Sequence, residues 1–149
     1  MATRSTIAVI HQDGSVSQVY CHWDGYLEHN GKFLIENYAT QELAESLVAL
    51  GDMSSLSKTV GVAHPFGHYG TDLSQDEYYK LYGNMNTYYG RDRGETGTEV
   101  KRYSDVYEYL DKFQDEGYNY LFNGTSWGYQ AYDMTEYVEV TADMVKEAA

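Results

Sequence analysis

Two stretches near the start of the chain are dominated by apolar positions, a pattern typical of β-strands. Residues 6–10 (TIAVI) and 16–22 (VSQVYCH) are rich in β-branched and aromatic side chains. The Asp13-Gly14 pair between them favours a two-residue hairpin turn, because a type I′ turn needs positive φ at both central positions. The pattern therefore predicts an antiparallel hairpin at the start of the fold.

A helical spacing of apolar residues follows the hairpin. It predicts a helix over 25–37, with Gly31 as a weak point inside it, and a second helix over 41–50. Thr40 is expected to be the N-cap of the second helix, and Gly51 stands where a C′ glycine belongs. The apolar face of this second helix is expected to consist of Leu43, Leu47, Val48 and Leu50.

Residues 51–97 differ in character, since they contain the only proline and many glycines. Within them the segment SQDEYYKLYG predicts one short helix, with Ser74 as N-cap, Glu77 at the capping-box position and Gly83 at the end. The remainder is expected to be loop. A structureless loop of that length is uncommon in a compact domain unless it is functional.

The last third of the chain predicts further strands and one more helix. The predicted elements are a strand over 98–103, a helix over 104–117 with Ser104 as N-cap, a hairpin around Asn123-Gly124, a strand over 136–141 and a helical turn from 142. The chain is therefore expected to form a single α+β domain over residues 1–149. It should have about five mostly antiparallel strands, as two hairpins plus extra strands, with three to four helices packed on the sheet.

The charge balance narrows the class of partner. The 149 residues carry 10 Lys and Arg against 23 Asp and Glu, a formal net charge of −13. Nucleic acids and anionic membranes are bound through basic residues, so direct binding to either is disfavoured. Plain solubility explains an acidic surface, and the alternatives are a basic protein partner or imitation of nucleic acid. The 17 tyrosines fit either half-buried core edges or an interface.

Cysteine content and the N-terminal residues bear on the compartment. The single cysteine, Cys21, excludes a disulfide framework within the chain and a zinc site built on paired cysteines. Residues 1–9 contain no long apolar segment, so no signal peptide is expected. No apolar run approaches the ~20 residues that span a bilayer. The sequence predicts a cytoplasmic protein.

The segment YCHWDGYLEHNGKFL brings together side chains that bind metals or act as nucleophiles, namely Cys21, His22, Asp24 and His29. Strand alternation places Cys21 and His22 on opposite faces, so they cannot share one pocket. Cys21 and Trp23 are expected to face the core, where a free cysteine behaves as a small hydrophobe. The segment is interpreted as the junction between the hairpin and the first helix.

A second histidine pair, His64 and His68, has the i, i+4 spacing of helical metal ligands. Pro65 and Gly67 lie between them and oppose a helix there, so the spacing is a weak signal. A metal-assisted enzyme that uses these histidines, or His22 and His29, is a third and least favoured hypothesis. No metal site, cofactor or enzyme activity is predicted.

The glycine-rich segment from Gly83 to Gly97 (GNMNTYYGRDRGETG) suggests a ligand site. It matches neither the P-loop nor the dinucleotide fingerprint. Two arginines and two aromatic rings on a flexible loop nevertheless have the chemistry to hold an anionic ligand and stack on a base. The favoured interpretation is a surface loop whose arginines pair with Asp92 and Glu95. The candidate ligand-binding residues are Tyr88, Tyr89, Arg91 and Arg93.

Acidic residues concentrate at the end of the chain. Residues 103–149 contain ten Asp and Glu but only Lys112 and Lys146, which leaves −8. Helix 104–117 is expected to face the core with Val106, Leu110 and Phe113 and to carry one carboxylate per turn on its outer side. A solvated face explains this row as well as a binding surface does, since like charges at this spacing cost only about 0.2–0.5 kcal/mol per pair. The candidate partner-binding residues are Asp105, Glu108, Asp111, Asp115 and Glu116.

Three segments resemble a family of small proteins encoded by tailed bacteriophages and prophages. They are TRSTIAVIHQDGSVSQVYCHWDGYLEHNGKFL, LVALGDMSSL and YGNMNTYYGRDRGE, and the resemblance is firmer before Gly94 than after it. It implies a phage accessory protein that acts in the cytoplasm of a bacterial host. It brings no assigned activity and no catalytic residue.

Two leading hypotheses follow. The first is a protein that binds and inhibits a bacterial host or defence factor, with an acidic, DNA-mimic-like surface that meets a basic nucleic-acid-binding surface on the partner. Small acidic phage proteins often act in this way, which is an analogy from context. The alternative is a protein that sequesters a small ligand or nucleotide with the 88–93 segment. Assembly into a homo-oligomer is compatible with both.

Overall fold

The computed structural model describes residues 3–65, 71–113, 116–131 and 134–145. Within them the chain forms a mixed α+β fold with one eight-stranded sheet and five α-helices, which confirms the predicted class. The strands are β1 (Ser5–Ile10), β2 (Val16–Trp23), β3 (Met53–Ser55), β4 (Thr87–Tyr88), β5 (Lys101–Tyr103), β6 (Tyr118–Phe122), β7 (Trp127–Ala131) and β8 (Val138–Glu139). The helices are α1 (Lys32–Asn37), α2 (Gln41–Val48), α3 (Gln75–Tyr82), α4 (Tyr89–Arg93) and α5 (Val106–Lys112), and a π-helical turn (Leu27–Gly31) precedes α1.

The sheet is mostly antiparallel and larger than predicted. Its strand order is β4-β3-β2-β1-β6-β7-β8, and β5 also pairs with β2. Only the β1–β6 and β2–β3 pairs are parallel in the part of the chain described. Parallel neighbours need a long crossover, and the segment with α1 and α2 supplies it between β2 and β3. Strands β3, β4, β5 and β8 have two or three residues each, too few for a periodic pattern, so the sequence did not reveal all of them.

Both predicted hairpins are present. In the first, β1 and β2 pair antiparallel from Ser5 opposite Cys21 to Ile10 opposite Val16. The turn is longer than the predicted two residues, since the His11 N–H donates to the Ser15 carbonyl at 2.8 Å with three residues between them. The second hairpin joins β6 to β7 around residues 123–126, as predicted.

The predicted helix over 25–37 is two segments, the π-helical turn and α1. Gly25 packs so tightly on the start of β1 that an added Cβ would lie 2.8 Å from the Arg4 carbonyl oxygen. The wider turn that follows buries Asn30, whose amide donates to the Ser5 hydroxyl at 3.0 Å. Satisfying this buried polar side chain explains why the helix does not run regularly through Gly31.

Helices α2 and α3 begin where the sequence predicts. The Thr40 hydroxyl accepts a hydrogen bond from the Leu43 N–H, and Ser74 and Glu77 form the full capping box. One detail of α2 is corrected. Leu43 and Leu50 are exposed, and Ala44 joins Leu47 and Val48 on the buried face. The helix therefore presents a narrower apolar face than predicted.

The last predicted helix is shorter than expected, and a different face of it is buried. Helix α5 starts after Asp105, not Ser104, and ends at Lys112, so residues 116 and 117 lie outside it. Tyr109 is its fully buried residue, whereas Leu110, predicted to face the core, is 48% exposed. The predicted strand over 136–141 is reduced to β8, and the turn over 142–145 precedes residues outside the described part.

The two faces of the sheet are covered unequally. One face carries the main core, with Ile7, Val19 and Phe122 packed against α1 and α2. The other carries a small cluster of Ala8, Val16, Tyr109 and Leu121, and of the described helices only α5 contributes residues to it. No helix among the described residues is both long and apolar enough to cross a membrane. The second face of the sheet, which only α5 covers among the described helices, is the more accessible of the two.

Candidate functional site

Cys21 is a core residue, as predicted. Its side chain is fully buried, and burial raises the pKa of the thiol to about 12. The Sγ atom lies 3.1 Å from the Trp23 carbonyl oxygen and accepts from the Asn30 amide at 3.6 Å. Trp23 itself was expected in the core but is 41% exposed, because the strand ends there and the chain turns away.

Cys21 is therefore expected to be inert toward a thiol-exchange reagent in the folded protein at mildly alkaline pH, since the reactive thiolate is almost unpopulated there. Labelling should occur only through unfolding, at a rate that rises with denaturant. The release of the reagent's chromophore, followed with and without denaturant, measures this. Rapid labelling of the folded protein would show that solvent reaches the thiol.

The histidines do not assemble a metal centre in the described part of the chain, where no group of three or more His, Cys, Asp or Glu side chains is placed to hold an ion. His29 contacts the Asn30 side-chain oxygen at 2.8 Å. Both ring nitrogens of His64 face backbone carbonyl oxygens, those of Pro65 and Asn86. The predicted partner of His64, His68, lies outside the described residues.

Two of the four candidate ligand-binding residues lie inside the fold. Tyr88 is fully buried, burial raises the pKa of its hydroxyl, and that hydroxyl donates to the Leu47 carbonyl at 2.7 Å. Arg91 donates to the carbonyls of Val60 at 2.8 Å and Asn86 at 3.0 Å, and its guanidinium lies 4.8 Å from the Tyr88 ring centre. Neither side chain is placed to stack on a base or to hold a phosphate.

The predicted ion pairs of this segment are present, with Arg91 2.9 Å from Asp92 and Arg93 3.3 Å from Glu95. The expected loop contains the short helix α4, which ends at Gly94 in the left-handed conformation. Of the candidate ligand residues only Arg93 is exposed, and Tyr89 is half-buried. This geometry gives the small-ligand hypothesis little support.

Asp92 holds together parts of the described segment outside α3 that were predicted to be loop. Its buried carboxylate accepts from the backbone N–H groups of His64 at 3.1 Å and Tyr88 at 2.8 Å, and from Arg91 Nε at 2.9 Å. The His64 ring nitrogen Nε2 lies 3.6 Å from the same group. A polar network of this kind orders a segment without leaving an apolar period in the sequence.

The described candidate partner-binding acids lie in and next to α5. Asp105 accepts from the Glu108 N–H at 2.8 Å, and Glu108 accepts from the Ser104 N–H at 2.9 Å, so both carboxylates cap α5. Asp111 is exposed, and Glu116 lies beyond the helix and is partly buried. Asp115 lies outside the described residues. The three acids from Asp105 to Asp111 span about two helical turns.

An apolar groove beside α5 was missed at the sequence level. It encloses about 470 Å³ between the helix and the segment that leads into β8, with Leu121 and Gln130 at its floor. Its walls and floor are lined by Val106, Leu110, Phe113, Leu121, Gln130, Thr135, Glu136 and Tyr137. The signal was present in the segment VYEYL, since four apolar side chains among five consecutive helical positions cannot all face one sheet.

Two carboxylates lie in the lining of the groove and of a hollow next to it. Glu136 lines the groove itself. The smaller hollow, of about 140 Å³, shares Leu121 and Tyr137 with the groove and adds Val138 and Glu139. On α5, the exposed Tyr107 and Asp111 lie outside the lining of both hollows. We call the two hollows, with Glu136 and Glu139 in their lining, the acidic groove. It combines a mostly apolar interior with a negative rim.

No family model matches the chain, and no curated protein or solved structure matches it. The described residues define the class: a mixed α+β protein with one large sheet, a buried polar network and an acidic groove on its thinly covered face.

Proposed function

We propose that the protein is a phage accessory protein that binds a bacterial host or defence factor in the host cytoplasm and inhibits it by contact, without chemistry of its own. The observation that carries the proposal is the acidic groove. Protein interfaces commonly join an apolar centre to a charged rim, and the rim sets partner choice and association rate. The partner's surface is expected to be basic, as on a protein that handles nucleic acid.

The charge supports a protein partner more than a detailed copy of DNA. The net charge of −13 steers a basic protein toward the chain, with an effect that falls as salt is added. A DNA mimic repeats charges along a length, whereas Asp105, Glu108 and Asp111 occupy about two helical turns. The proposed inhibitor therefore competes through a compact acidic patch with an apolar centre.

Capture from a bacterial lysate tests the proposal, with the double variant Asp111→Lys/Glu136→Lys compared against the wild-type chain. Both residues are exposed, and neither caps α5. We expect a specific partner to bind the wild type, to weaken as salt rises, and to be lost from the variant. Asp105 and Glu108 are left unchanged because their removal would unfold the helix start.

The matched control is Glu36→Lys/Glu99→Lys, which makes the same change of net charge at two exposed sites in α1 and in the segment before β5. The control variant should keep the partner. Equal loss from both variants would mean that net charge alone matters, and an unchanged partner list would place the interface elsewhere.

A further inference from the structure

We infer that the acidic groove is the docking site for a single apolar, preferably aromatic, side chain that projects from the partner between Lys or Arg residues. This inference rests on the proposed function and names the kind of segment that the partner must present. Peptide-like recognition of this type joins one buried anchor to flanking charge contacts.

The size and composition of the groove favour an apolar anchor. Its volume of about 470 Å³ lies within the ~300–1,000 Å³ typical of ligand sites. Leu110, 48% exposed, and Leu121 provide apolar surface from the helix and from the sheet. An aromatic ring buries a large area with little loss of conformational freedom, so it gains the most from such a site.

Two polar side chains of the groove, Gln130 and Tyr137, are already hydrogen-bonded. The Gln130 amide donates to the Met134 carbonyl at 2.6 Å, and its oxygen accepts from Asn119 at 3.1 Å. The hydroxyls of Tyr137 and Tyr109 lie 2.8 Å apart. A strongly polar ligand would have to break these bonds to be satisfied, which makes an apolar side chain the better occupant.

The negative charge at the groove favours positively charged residues on either side of the apolar side chain that docks there. Glu136 and Glu139 line the two hollows, and no Lys or Arg is among the described residues that line either of them. Outside the lining, on α5, the exposed Asp111 is followed by the exposed Lys112. Cationic flanks are therefore attracted. A second copy of this chain is disfavoured as the occupant, because it would bring another −13 to the interface.

Three blocked tripeptides test this assignment on the full chain: Lys-Trp-Lys, Glu-Trp-Glu and Lys-Ala-Lys. We expect Lys-Trp-Lys to shift the backbone amide NMR signals of Val106, Leu110 and Leu121. Exchanging its lysines for glutamates should weaken binding about tenfold, and removing the indole should weaken it about 30-fold. Equal affinity for all three peptides, or shifts spread over other surfaces, would overturn the assignment.

A matched pair of variants makes the test specific. Leu110→Gln removes part of the groove wall, and Leu81→Gln changes an equally exposed leucine on α3, far from the groove in the sequence. Only Leu110→Gln should weaken Lys-Trp-Lys binding. Because Leu110 is half exposed, the fold should tolerate the change, and amide spectra of the free variants check that it does.

The groove and the proposed function can fail separately. If the peptides bind as expected but the chain captures no bacterial partner, the docking-site inference is supported and the proposed function is overturned. The opposite result is a bacterial partner that is lost on Asp111→Lys/Glu136→Lys without being displaced by Lys-Trp-Lys and without binding more weakly to Leu110→Gln. This result would support the proposed function and overturn the docking-site inference.

Discussion

Replacement of Asp92 by alanine is expected to lower the free energy of unfolding by about 3–5 kcal/mol, the range for removing one partner of a buried ion pair. The Asp92 side chain is fully buried. Its loss would leave the Arg91 guanidinium, which is only 13% exposed, without its carboxylate partner. It would also leave two backbone N–H groups, those of His64 and Tyr88, without their acceptor. Urea denaturation measures the change.

Two further substitutions identify the cause. Asp92→Asn keeps an acceptor oxygen and the side-chain shape but removes the charge, so it should destabilise less than alanine does. Asp72→Ala removes an exposed aspartate of the same region and should change stability by no more than about 0.5 kcal/mol. A loss for Asp92→Ala no larger than that for Asp72→Ala would show that the contacts of Asp92 with His64, Tyr88 and Arg91 do not stabilise the fold.

The parts of the fold that the sequence predicts are those whose signal is local. The capping box of Ser74 and Glu77 and the Thr40 cap depend on residues three apart, and both are present as predicted. The β-branched and aromatic content and the Asp13-Gly14 turn signal that predicted the hairpin of β1 and β2 are likewise local. Each such feature can be recognised because its stabilising contacts lie within a few residues along the chain.

Features that depend on distant contacts escaped prediction. Strand β3 has three residues and exists because it pairs with Cys21 and Trp23 of β2, and β4 exists because it pairs with β3. The π-helical turn depends on Asn30 finding the Ser5 hydroxyl, 25 positions away. No periodic pattern in the sequence encodes such pairings, since the partners come together only when the sheet forms.

The candidate site shows the same division. Charge composition predicted where the acids concentrate, but not that Asp105 and Glu108 serve as helix caps. It also could not predict the groove, which arises because α5 ends at Lys112 and leaves Leu110 partly uncovered. A helix that continued to residue 117 would have presented a longer row of acids.

The two tryptophans offer the sharpest test of the core, and Trp127→Ala is expected to destabilise the protein by about 3–5 kcal/mol. Trp127 is 1% exposed, packs against Phe122 with ring centres 5.2 Å apart, and donates its Nε1–H to the Tyr38 carbonyl at 2.9 Å. Removal of the ring leaves a cavity in the main core and an unsatisfied carbonyl. Denaturation followed by far-ultraviolet circular dichroism measures the loss.

Trp23→Ala is the matched control, because Trp23 is 41% exposed at the end of β2 and makes an edge-on ring contact with His22. We expect a loss of no more than about 1 kcal/mol there. Quenching of the fluorescence of the two single-tryptophan variants provides an independent check. The Trp23→Ala variant keeps only the buried Trp127, whose indole should be shielded from an aqueous quencher. The Trp127→Ala variant keeps only the exposed Trp23, which should be quenched. Equal losses of unfolding free energy in the two alanine variants would place both tryptophans in the core, as the alternation of β2 alone suggested. They would also mean that the chain does not turn away from the sheet at Trp23.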